Sequence, residues 1–87
     1  MNTALEARIR AAGAEMSKPG RWRIALEQMD QATQQILASP EFDEHAAQLA
    51  LDNVHALYQW ASVMQSHELR CLNNALLELT TAFAANR

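Results

Sequence analysis

Both glycines and both prolines of this chain stand in its first 40 residues, at Gly13, Pro19, Gly20 and Pro40, and the stretch from Glu41 to Arg87 carries no helix breaker. Inside a helix, glycine costs about 1 kcal/mol and proline about 3 kcal/mol relative to alanine, so nothing local stops a helix begun after Pro40. The pattern predicts one long helix over residues 41–86. At about 1.5 Å per residue it would reach on the order of 65 Å, more than the remaining residues can cover. A partner is therefore expected.

Length sets the same limit. A core built from 87 residues is marginal unless it is stapled or oligomerises, and Cys71, the only cysteine, cannot form an internal disulfide. Alanine and leucine dominate the apolar residues while β-branched and aromatic residues are few, which favours helix over sheet. The expected fold is all-α, a single helical domain over 1–87 that dimerises as a helical bundle. Glu6, Arg8 and Arg10 interrupt the N-terminus where a signal peptide would be apolar, and no run approaches the ~20 apolar residues of a membrane span. A soluble cytoplasmic protein with no membrane contact is expected.

Charge divides the chain. Residues 1–24 carry five basic against two acidic side chains, a net of +3, whereas residues 25–87 carry two basic against eight acidic, a net of −6. An acidic long helix does not seek nucleic acid, so no direct nucleic-acid partner is expected.

Periodicity places the elements. A first helix over about Thr3 to Met16 sets Leu5, Ile9, Ala12 and Met16 on one stripe, with Asn2 or Thr3 as its cap. Gly13 weakens it, and a helix this short is mobile unless docked. Ser17, Lys18, Pro19 and Gly20 form the turn that closes the segment 1–20. A second helix follows within 21–39, with Trp22, Ala25, Leu26, Met29, Ala32, Ile36 and Leu37 as its apolar positions. Asp43 is the expected N-cap of the long third helix, and Glu44 sits in its first turn, where the helix dipole favours an acid. The stripe of that helix is interrupted at Gln65, Ser66, His67 and Glu68, which leaves open whether it runs straight through.

A second helix of about 18 residues shields only ~27 Å of the third and leaves its later stripe bare. The expected dimer interface is therefore Leu69, Leu72, Leu76, Leu79 and Phe83.

The residue types that perform chemistry do not assemble into a recognisable set. His67 and Cys71 share a helical face beside Glu68, but two ligands do not make a zinc site. His45 and His55 fall on different faces and read as rim residues, and Ser62 and Ser66 lack a nucleophile elbow and an oxyanion-hole glycine. No enzyme activity, cofactor or metal is expected. The residues expected to bind a partner are Trp60, between Gln59 and Ala61, together with the basic and aromatic run Arg21, Trp22 and Arg23.

From Ala38-Ser39-Pro40-Glu41 through Ala61-Ser62-Val63 into Leu69, Leu72, Asn73, Leu76 and Leu79, the chain resembles the small helical antiactivators of quorum sensing, of the TraM and QslA kind. That resemblance implies a homodimer that binds a larger regulatory protein, a LuxR-type transcription activator, and keeps it from DNA. The first helix and the basic turn have no counterpart in it. Pro40, Tyr58, Gln65-Ser66, Leu69-Arg70, Leu72 and Phe83 are also similar to the needle subunit of type III secretion, although Asn73-Asn74 stands where that family has a lysine-aspartate pair. The alternative it implies is a self-assembling or chaperone-type subunit of such a system.

Overall fold

In the computed structural model, which describes residues 3–86, the order is α1 (Thr3–Met16), α2 (Trp22–Ala38), α3 (Glu44–Leu57), a 3₁₀ helix (Tyr58–Val63) and α4 (Ser66–Ala85). The all-α expectation holds, and α1 and α2 lie where periodicity put them. Asn2, one of the two expected caps of α1, is outside the described residues.

The single long helix over 41–86 does not form. At Tyr58 the α-helix tightens to a 3₁₀ turn, and Met64 and Gln65 are extended, with ψ of 146° and 161°, before α4 begins. No glycine or proline makes this break; the cause is the start signal of the next helix combined with tertiary anchors. Glu68 reaches back so that its Oε1 accepts the Gln65 backbone N–H at 2.8 Å, the carboxylate half of a capping box. Tyr58 donates its hydroxyl to Asn73 Oδ1 at 2.6 Å, tying the 3₁₀ helix to α4 across the bend. The gain is burial: folding α4 back encloses Leu72 and Leu79 completely, each worth about 1.5–3 kcal/mol.

The four helices run alternately up and down. α2 and α3 pack on each other and each touches both outer helices, so α1 and α4 lie on opposite sides of a central α2–α3 pair. The resulting body measures 35 × 23 × 16 Å between Cα extremes, about half the reach of the expected rod. Its core takes the predicted α1 stripe of Leu5, Ile9, Ala12 and Met16 entire and adds Trp22, Met29, Ile36, Val54 and Leu57. Ala25, Ala32, Ala46, Ala47 and Ala50 are also buried and let the helices approach closely.

The connections follow local chemistry. Gly20 takes φ of +74°, the left-handed conformation its turn requires. Asp43 caps α3 as expected, its Oδ1 accepting the Ala46 N–H at 3.0 Å. One expected core position fails: Leu37 is 39% exposed, one residue past the buried Ile36 on the outer flank of α2.

Candidate interaction surfaces

The structure redistributes the residues expected to form the dimer interface. Leu72 and Leu79 are fully enclosed by the chain itself, and Leu69, Leu76 and Phe83 are half-buried beside them. Phe83 meets Phe42 edge to face, with ring centroids 5.2 Å apart, closing α4 against the segment before α3. Leu72 and Leu79 are therefore covered by α2 and α3 of the same chain, whereas Leu69, Leu76 and Phe83 keep part of their surface.

The expected partner-binding residues gather at one end of the bundle, where α1 ends, α2 begins and the chain bends into α4. Trp22 is 6% exposed, a core residue unavailable to a partner. The Arg23 guanidinium lies 4.8 Å from its ring centroid, and Arg23 Nε donates to Glu68 Oε2 at 2.7 Å. That bond, followed by the Gln65 N–H, holds the Glu68 carboxyl below its usual pKa and raises that of Arg23. Arg21 Nε donates to Glu15 Oε2 at 2.7 Å and Lys18 lies 3.4 Å from Glu15 Oε1, so Arg21 first and Lys18 second lower the Glu15 pKa. Trp60 is half-buried, and its indole N–H donates to the Met16 carbonyl at 3.0 Å, closing the end of α1. Beside it, Val63 is 58% exposed, within a run from Leu57 to Ser66 that carries no charged residue. Sequence reasoning named Val63 only within a resemblance and gave it no role; its signal is a β-branched residue in an uncharged run.

A second surface lies toward the opposite end. Leu37, Leu77, Thr81, Ala82 and Ala85, with Glu78 at the edge, line a shallow groove of about 370 Å³ between α2 and α4. Leu77 is 65% exposed. Its signal in the sequence is a leucine off the α4 stripe, adjacent to the stripe position Leu76.

A polar cleft of about 750 Å³ lies by the start of α3, lined by Thr3, Ser39, Phe42, Asp43, Glu44 and His45 among others. Ser39 Oγ donates to the Glu41 carbonyl at 2.8 Å, and His45 Nδ1 lies 2.5 Å from Oε1 of the buried Glu6, which Arg10 approaches at 3.8 Å. His45 and Glu6 thus join α3 to α1, a pairing that sequence spacing does not reveal.

His67 is exposed and Cys71 half-buried. The Cys71 thiol is pushed up in pKa by burial first and by Asp30 second, away from the thiolate that binds metal or attacks substrates. Among the described residues no group of three or more His, Cys, Asp or Glu side chains is placed to hold a metal ion, and no helix is long and apolar enough to cross a membrane. No protein-family model, curated protein or solved structure matches the chain.

Proposed function

We propose that this chain is a non-enzymatic interaction module that acts in the cytoplasm as a homodimer, binding a LuxR-type transcription activator and keeping it from DNA. The observation that carries the reading is the end of the bundle at Val63. An exposed apolar side chain sits there in an uncharged segment, on the same end as Lys18, Arg21 and Arg23, whose side chains are 60%, 49% and 59% exposed. An apolar centre with a charged rim is the anatomy of a protein-binding site. The quorum-sensing resemblance supplies the class of partner. The alternative, a self-assembling or chaperone-type secretion subunit, draws less support, because Leu72 and Leu79 of the C-terminal helix are spent on the chain's own core.

The test is competition. Purified full-length chain is titrated into a LuxR-type activator bound to its labelled operator, with fluorescence anisotropy as the readout. Release of the DNA at nanomolar to micromolar chain is expected, the affinity range of an interface of about 800 Å² per side. Val63→Asp should weaken release at least about tenfold with unchanged helicity. Operator binding that is indifferent to ~100 μM chain would overturn the reading.

A further inference from the structure

Leu77 is the most exposed large apolar side chain among the described residues, and it stands on the wall of the groove it shares with Leu37, Thr81, Ala82 and Ala85. We infer that this groove is one half of a two-fold interface between copies of the chain, in which each copy's Leu77 seats in the other's groove and the two α4 helices cross antiparallel near Thr81. This rests on the homodimer in the reading above and relocates its contact from the buried stripe of α4 to the opposite flank of the same helix.

Two observations select a second copy as the occupant. A two-fold interface needs a patch complementary to itself, with projection and recess side by side on one face, and Leu77 beside the Leu37–Ala85 groove has that form. The second is charge. The chain carries a net −3, six negative over residues 25–87, so two copies of α2 and α4 meet with least repulsion where those helices carry no charge. From Cys71 to Asn86 the only charged residue is Glu78, and from Gln31 to Pro40 of the α2 flank there is none. Glu78 itself is half-buried and accepts the Gln34 side-chain amide at 3.3 Å. By contrast α1 presents Arg8, Arg10 and Glu15, and α3 presents Glu44 and Asp52. The groove also lies toward the other end of α4 from Val63, so a dimer formed here leaves both partner-binding ends free.

An antiparallel crossing at Thr81 overlaps α4 over only about Leu77 to Ala85, roughly 12 Å, which places the contact among small interfaces of micromolar affinity. Light scattering after size exclusion, run from about 5 to 200 μM, should show the mass rise from 9.7 kDa toward twice that value. Leu77→Asp should raise the dissociation constant by about 30-fold or more and leave the circular dichroism unchanged. In a Cys71→Ser background, mild oxidation should cross-link Thr81→Cys to itself across the two-fold axis. Asn73→Cys should not cross-link, since the axis sets its two copies roughly 24 Å apart. Wild-type protein that stays at 9.7 kDa throughout, or a dimer indifferent to Leu77→Asp, overturns the interface. The two proposals separate: a groove dimer that leaves the activator on DNA keeps this inference and removes the proposed function, and a monomer that releases the DNA removes this inference and the homodimer while the activator binding stands.

Discussion

Gly13 of α1 and Asn53 of α3 approach so closely that a Cβ at position 13 would stand 2.9 Å from Asn53 Oδ1 and 3.4 Å from its Nδ2. The same Nδ2 donates to the Ile9 carbonyl at 2.7 Å, one helical turn before Gly13. The glycine that weakens α1 as an isolated helix is what lets α1 dock. Gly13→Ala gains about 1 kcal/mol of helix propensity but must displace the amide, giving up a partly buried hydrogen bond of about 1 kcal/mol and adding strain. In the wild-type background it should therefore be neutral to destabilising, and in an Asn53→Ala background stabilising. Urea denaturation of the four proteins measures a coupling of about 1 kcal/mol; additive effects would refute the packing argument.

Stability should fall with acid from a definable source. The folded pKa of Glu68 is held below its unfolded value by Arg23, and that of Glu15 by Arg21 and Lys18, so the folded state binds these protons less readily than the unfolded one. Their contribution is fully present above the unfolded value of about 4.5 and is lost as pH drops through the folded values. Unfolding midpoints should be flat with respect to these groups from pH 5 to 7 and decline below pH 4.5. Glu68→Gln should shallow the decline; an unchanged profile counts against the pairing.

Trp60 was the expected partner anchor, but its indole closes the end of α1 through the Met16 carbonyl. Trp60→Ala should cost about 2 kcal/mol, below the usual range for a fully buried tryptophan because the ring is only half-buried. Thermal melting checks this, and Trp60→Phe should recover part of the loss. A wild-type melting temperature for Trp60→Ala would return the residue to the free surface.

Thr33 is fully buried on α2, and its hydroxyl has no hydrogen-bond partner. Valine has nearly the same shape without the polar atom, so Thr33→Val should stabilise the chain by about 1 kcal/mol, or roughly 4–8 °C in melting temperature. A loss of stability would show that the hydroxyl is satisfied in solution.

The parts of the fold that were readable in sequence are those fixed by local rules. The α1 stripe of Leu5, Ile9, Ala12 and Met16, the turn at Pro19-Gly20 and the Asp43 cap follow from periodicity, φ preference and capping chemistry. The bend after Leu57 was only partly legible: the interruption of the stripe at Gln65 to Glu68 marked where it falls, but no breaker residue makes it, and the contacts that fix it, Tyr58 to Asn73 and Arg23 to Glu68, join residues far apart in sequence. Missing that bend propagated into the site, since a straight helix leaves Leu72 and Leu79 bare whereas a folded one hides them and turns Leu77 outward. The basic end was legible as a cluster of Arg21, Trp22 and Arg23. Periodicity also placed Trp22 on the apolar face of α2, where it is covered; that Val63 is exposed depends on packing.

With the outer helices on opposite sides of the α2–α3 pair, the bundle has two places from which to open. Because neither outer helix packs appreciably on the other, opening of α1 is expected to leave the contacts of α4 whole, and the reverse. Amide hydrogen exchange should accordingly resolve a slow class in α2 and α3 and two faster classes in α1 and α4, each answering to its own denaturant dependence. That outcome would make the α2–α3 pair a common platform for two arms released separately.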